Sequence, residues 1–124
     1  MKNGRKNWYI VDGWIPAKNA VANSGYEGHE ALIILNCNDK PTECFLDFYF
    51  EDREPVENIS VTIPAKRVKC FRLDKKEEIG GVELGRLCQY SLRVRSAAAV
   101  VVQFGRMDVT QENCAYIGLM GYGE

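Results

Sequence analysis

Apolar residues fall at every second position through much of the chain. The clearest stretch is Glu43-Cys44-Phe45-Leu46-Asp47-Phe48-Tyr49-Phe50, where Cys44, Leu46, Phe48 and Phe50 share one side and Glu43 and Asp47 the other. A period of two belongs to a strand with one buried face. Residues 58–63 repeat the pattern, with Ile59, Val61 and Ile63 on one face and Asn58, Ser60 and Thr62 on the other. A helix would scatter these residues around its axis. Further strands are expected at 8–12, 29–36, 67–73, 87–95 and 98–106, with a weaker one at 114–119. Turn signals separate them at Asp12-Gly13, Asn38-Asp39-Lys40-Pro41, Asp52-Arg53-Glu54-Pro55, Ile63-Pro64-Ala65 and Gly80-Gly81. About eight short strands with frequent turns predict an all-β sandwich of mostly antiparallel strands, one domain over residues 1–124.

Two segments lack this alternation. Residues 15–27 form a stretch near the length at which loops tend to be functional. Residues 74–86 carry Lys75-Lys76-Glu77-Glu78 and then a glycine pair, and are expected to be a solvated excursion. No stretch sustains helical spacing. The best candidate is Asp108-Val109-Thr110-Gln111, whose Asp-x-x-Gln suits the cap of one helical turn.

Composition narrows the class of protein. With 46% hydrophobic and 27% charged residues the chain is an ordinary globular one, and its 124 residues bury enough surface to fold without metal or disulfide staples. A net charge of −1 gives no global field for phosphate backbones, which disfavours non-specific nucleic-acid binding and leaves DNA only a local patch. Cys37, Cys44, Cys70, Cys88 and Cys114 are odd in number, contain no C-x-x-C and stand mostly in apolar runs. They are expected to be small core hydrophobes in a reducing compartment. The single His29 leaves too few partners for a zinc site, and no metal or cofactor is expected. Behind the basic start Met1-Lys2-Asn3-Gly4-Arg5-Lys6 only Trp8-Tyr9-Ile10-Val11 follows, too short for a signal peptide or membrane helix, so the expected location is cytoplasmic.

Candidate chemistry is sparse. There is no G-x-S-x-G, P-loop, dinucleotide-binding G-x-G-x-x-G or H-E-x-x-H, and no catalytic residue is assigned. His29 and Glu30 are neighbours on a strand, so their side chains point to opposite faces and do not serve one substrate atom together. The run Val100-Val101-Val102-Gln103-Phe104-Gly105-Arg106-Met107-Asp108 is more informative, because an apolar strand ends there in groups able to fix a ligand. Arg106 and Asp108 suit an ion pair or polar clamp, whereas Gln103 starts on the opposite face. Trp8, Trp14, Tyr26, Tyr49 and Tyr90 suit interfaces and pockets, but core packing accounts for at least half of them without a ligand. The basic run Lys66-Arg67-Val68-Lys69-Cys70-Phe71-Arg72 reads as a solvated strand face rather than a nucleic-acid surface.

Taken in order, these segments resemble the Anabaena sensory rhodopsin transducer family. The matching elements are Trp8 and Gly13-Trp14-Ile15-Pro16; His29-Glu30 leading to Ile34-Leu35-Asn36; and Tyr49-Phe50-Glu51-Asp52 with Glu54-Pro55-Val56. Val61-Thr62-Ile63-Pro64-Ala65-Lys66-Arg67, Arg72 and Val101-Val102-Gln103-Phe104-Gly105-Arg106-Met107-Asp108 complete the series, over about residues 7 to 119. The resemblance implies a soluble cytoplasmic β-sandwich assembled as a homotetramer. It implies a founding member that couples to a membrane photoreceptor, and relatives that bind small molecules such as sugars or their derivatives. The polar positions matching the family pattern are His29, Glu30, Asn36, Arg67, Arg72, Gln103, Arg106 and Asp108. The chain departs from it in residues 74–86, in its cysteines and in the Gly121-Tyr122-Gly123-Glu124 tail.

The expected function is therefore a homotetrameric, non-enzymatic module that binds a small polar metabolite, a carbohydrate by resemblance. The ligand set is His29, Glu30, Asn36, Arg72, Gln103, Arg106 and Asp108, with Arg106 its strongest member. The alternative is an interaction module that relays a signal from a membrane receptor or to DNA without a small ligand. An enzyme is the third class.

Overall fold

The computed structural model describes residues 4–19 and 24–124; residues 1–3 of the basic start and 20–23 of the 15–27 loop lie outside the described residues. Eight strands account for most of the fold: β1 (Arg5–Trp14), β2 (His29–Asn36), β3 (Thr42–Phe50), β4 (Val56–Ile63), β5 (Arg67–Arg72), β6 (Gln89–Asp108), β7 (Ala115–Met120) and β8 (Tyr122–Gly123). Every pairing is antiparallel. No helix among the described residues is long and apolar enough to cross a membrane.

The organising element is β6. Two strands are expected here, at 87–95 and 98–106, but the chain runs as one 20-residue strand. Nothing between Arg95 and Val100 breaks a strand: Ser96-Ala97-Ala98-Ala99 has small side chains and no glycine or proline. The stretch bends instead. Between the pairs Asn7–Arg95 and Arg5–Val100, residues 96–99 of β6 are set against Lys6 alone, a large bulge of the kind that turns a strand sharply. The bend is pinned from three sides. The Trp8 indole N–H donates to Val100 O at 3.0 Å, Asn38 Nδ2 donates to Ala99 O at 2.8 Å, and the Thr42 and Ser96 hydroxyls are 3.1 Å apart.

The first half of β6 pairs with β1 and β3, completing a layer ordered β4-β3-β6-β1-β8. Its second half lies between β2 and β7, with β5 beyond β2. One continuous sheet thus folds over through a single strand into a sandwich, and inward side chains of both halves meet in one core. Leu92 and Val94 join Val100, Val102 and Phe104 there, with Leu46, Phe48, Leu32 and Ile34 from the flanking strands.

Three further expectations change. Residues 74–86 are not a solvated excursion: Ile79, Val82 and Leu84 are buried and close one end of the core. They are too widely spaced among charges for periodicity to show them, and they descend inward from a 3-10 turn at Lys76–Glu78 and the left-handed Gly80 and Gly81. Asp108 starts no helical turn, because its carboxylate folds the following chain back by accepting the Thr110 N–H at 2.8 Å. Of the cysteines only Cys44 is a core residue. Cys70 and Cys88 are exposed and Cys37 and Cys114 half-buried, since a thiol in an apolar run still faces whichever side its position dictates.

The tail adds β8, two residues that pair with Trp8 and Tyr9 and are too short to leave a periodic signal.

Candidate functional site

Because β6 folds over, Tyr90 near its start and Arg106 near its end reach the same carboxylate. Glu30, on the inward face of β2, is fully buried. Its Oε1 accepts the Tyr90 hydroxyl at 2.6 Å and its Oε2 accepts Arg106 Nε at 2.7 Å. The Trp14 backbone N–H lies 3.0 and 3.1 Å from the two oxygens. Register explains the Arg106 contact, since Glu30 and Arg106 are directly opposed across β2 and β6. Gly13 explains the approach of Tyr90: a Cβ there would stand 2.4 Å from the ring.

Burial pushes the Glu30 carboxyl above its ordinary value, against the bonds from Tyr90, Arg106 and Trp14 that favour its charge. Burial, with the Glu30 carboxylate alongside, raises the Tyr90 hydroxyl well above its own. The remaining reach of Arg106 goes to the Asp12 carbonyl at 3.1 Å. The expected Arg106–Asp108 pair is therefore not made: Arg106 turns inward to Glu30, and Asp108 holds Thr110.

A second ion cluster stands at the same end. Asp74 accepts Arg72 Nε at 2.7 Å and Arg86 Nη2 at 2.9 Å. Arg86 Nη1 also donates to the Pro16 and Gly28 carbonyls at 2.8 and 2.7 Å. It thereby ties the 15–27 loop, the start of β2 and the 74–86 segment together. Asp74 and Arg86 are hard to read from the sequence because they bound a segment rich in charges and glycine. Their only signal there is a charged residue at each end of a stretch holding scattered apolar positions.

Beside these networks a cleft of about 750 Å³ opens between Trp14, Phe50, Arg53, Leu84, Leu87 and Gln89. Trp14 is 37% exposed and Leu87 more so. Leu87 holds a left-handed backbone at φ 59°, fixed by its N–H on the Ile15 carbonyl at 2.8 Å. That conformation is unfavourable for a bulky residue, and strain of this type gathers at binding sites.

The other expected positions distribute as follows. His29 lies on the outward face of β2, its Nδ1 2.9 Å from the Glu27 carbonyl, turned away from Glu30. Arg72 belongs to the Asp74 cluster, on the edge strand β5. Asn36 is at the far end of β2, buried. Its amide donates to the Lys40, Ile63 and Pro64 carbonyls while its oxygen accepts from Asn38, so it staples the β2–β3 turn. Arg67 is exposed beside it. Gln103 is exposed on the outward face of β6. Glu30 and Arg106 are thus joined, His29 and Arg72 stand at the same end, and Asn36 and Gln103 lie away from it. Among the described residues no cluster of three or more His, Cys, Asp or Glu side chains is placed to hold a metal.

Comparisons with known proteins give one family and two similar structures. The family model described as Anabaena sensory rhodopsin transducer matches residues 3–123. A structure titled "Crystal Structure of Thermotoga maritima 1070" is similar with a TM-score of 0.83 and 31% identity, over 98% of this chain and 97% of that one. The structure of the Anabaena sensory rhodopsin transducer is similar with a TM-score of 0.73 and 28% identity, over 87% of this chain and 92% of that one. Among curated proteins nothing matches.

Proposed function

This chain belongs to the Anabaena sensory rhodopsin transducer family, and from that premise we propose that it is a cytoplasmic, non-enzymatic binding module taking a small polar ligand, a carbohydrate or carbohydrate derivative, in the cleft beside Trp14. The observation that carries this is the exposed indole at the mouth of a cleft of about 750 Å³, inside the size range of small-molecule sites. A sugar offers an apolar C–H face for the indole and hydroxyls for the polar walls. Glu30 and Arg106 support the reading from behind, since Glu30 grips the Trp14 backbone and Arg106 grips Glu30. Among the remaining positions of the expected set, His29 and Arg72 flank this end of the sandwich. Asn36, Gln103 and Asp108 support it only through the surrounding strands and turns.

The test is a thermal-shift screen of monosaccharides and their derivatives, because a ligand that binds only the native state raises its stability. A hit is expected to lose its shift in Trp14→Ala. Arg106→Ala, checked for retained fold, is expected to weaken the hit less than Trp14→Ala does, because Arg106 reaches the cleft only through Glu30 and the Trp14 backbone. Normal binding by Trp14→Ala would remove the cleft from consideration, and normal binding by Arg106→Ala would remove the support from Glu30 and Arg106.

A second reading, relay by protein contact, is favoured by a specific surface. The outward face of the β5-β2-β6-β7 layer carries exposed Val68, Leu35, Tyr116 and Met120, and β7 is exposed along its length. Apolar side chains grouped on one face mark an interaction site. We assign this face to self-association, with the homotetramer as the expected state and a membrane receptor as the expected partner of the assembly. Light scattering at micromolar concentration is expected to give a multiple of the 14.0 kDa chain mass, reduced in Leu35→Glu/Val68→Glu. A monomeric wild-type protein would sink the assignment.

A further inference from the structure

We propose that the cleft beside Trp14 selects donor-rich ligands carrying a positive charge, such as amino-substituted sugars or other small amines, over phosphorylated or carboxylated ones. This rests on the cleft being the ligand site, and it follows from which of its polar groups are already spent. Arg53, the cation in the wall, lies with its guanidinium 3.7 Å from the centre of the Phe50 ring, and its Nη2 donates to the Glu83 carbonyl at 2.8 Å. The Gln89 amide nitrogen serves Asp12 Oδ1 and the Gly13 carbonyl, both at 3.1 Å. The Cys88 thiol donates to the Arg86 carbonyl.

The acceptors are in the opposite state. Gln89 keeps its carbonyl oxygen free, and Glu51 and Asp52, both exposed in the cleft wall, make no side-chain hydrogen bond or ion pair among the described residues. The Gln89 amide and the Cys88 thiol are thus committed and Arg53 is partly engaged, while the two carboxylates and the Gln89 oxygen are open. An anion entering here meets two unpaired carboxylates against a single guanidinium, stacked on Phe50 and bonded to the Glu83 carbonyl. A cation meets the two carboxylates and the face of a tryptophan, the aromatic ring that attracts cations best. Arg106, the strongest member of the expected ligand set, is held by Glu30 and is not in this wall.

Trp14 fluorescence supplies the readout, since Trp8 is only 7% exposed and a Trp14→Phe variant gives the background. Caesium is expected to quench Trp14 more effectively than iodide, with the difference shrinking in the double variant Glu51→Gln/Asp52→Asn. In direct titrations glucosamine is expected to bind more tightly than glucose and about tenfold or more tightly than glucose 6-phosphate, and the same double variant is expected to level the series. A response to tetramethylammonium without any response to a sugar leaves the charge selectivity standing and overturns the carbohydrate reading. Glucose 6-phosphate binding as tightly as glucosamine overturns the selectivity and leaves the cleft as the site. Iodide quenching as well as caesium overturns the selectivity, and silence of every probe overturns both.

Discussion

Replacing Glu30 with alanine is expected to cost about 3–5 kcal/mol of folding stability, the scale for breaking a buried ion pair by removing one partner. Three donors lose their acceptor together: the buried Tyr90 hydroxyl, the Trp14 N–H and Arg106 Nε. Urea unfolding of Glu30→Ala against wild type at neutral pH measures it, and a loss below about 1 kcal/mol, that of one ordinary hydrogen bond, would show that the three contacts do not act as a unit. Arg106→Ala gives the contrasting case. It leaves a carboxyl that burial already pushes toward its neutral form, so its folded-state pKa rises further above 4.5. A raised carboxyl pKa means that the folded state takes up its proton first as pH falls. The stability deficit of Arg106→Ala is therefore expected to narrow as pH falls from neutral toward about pH 5. That of Glu30→Ala is expected to widen, because the wild-type carboxyl, itself raised, takes up a proton in the fold and the alanine has none to take.

Acid is expected to act in the opposite sense at Asp47. This carboxylate is fully buried on the outer face of the β4-β3-β6-β1-β8 layer. It accepts both Nε and Nη2 of Arg95 at 2.7 and 2.9 Å, Arg93 Nε at 3.0 Å and the Asn58 N–H at 2.9 Å. Burial opposes its charge, but the bonds from Arg95, Asn58 and Arg93 outweigh burial and bring its pKa from 3.8 to about 2. A depressed pKa contributes stability above the unfolded value and loses it as pH falls through the folded one. Asp47 is thus expected to supply about 2 kcal/mol at neutral pH, lost between about pH 4 and pH 2. Asp47→Asn should cost at least that much at pH 7 and flatten the acid limb of the stability profile in that window. An acid limb unchanged by the substitution would place the acid sensitivity in other carboxylates.

These two carboxylates also separate what was legible in the chain from what was not. Both were visible as acidic positions in expected strands, Glu30 second in one and Asp47 facing away from Cys44, Leu46 and Phe48. Alternation said that Asp47 lies outside the core. It did not say that Arg93, Arg95 and Asn58 would bury it there, since those residues come from other strands. The transducer resemblance was equally legible, because an ordered series of short motifs survives without knowledge of the fold.

The sequence by itself determined where the strands lie, that the fold is all β and which family it belongs to, because the two-residue period and the turn residues are local properties written in adjacent positions. It erred where the local signal was thin: Ile79, Val82 and Leu84 are spaced too irregularly to show a period, and residues 96–99 carry no breaker yet bend. Only the tertiary structure decided the candidate site. Glu30 meets Arg106 76 positions away and Tyr90 60 positions away, through one register and one bend in β6, so Arg106 is committed to Glu30 instead of to Asp108 or a ligand. Partner choice among charges depends on which strands the fold brings face to face, and periodicity along the chain carries no information about that.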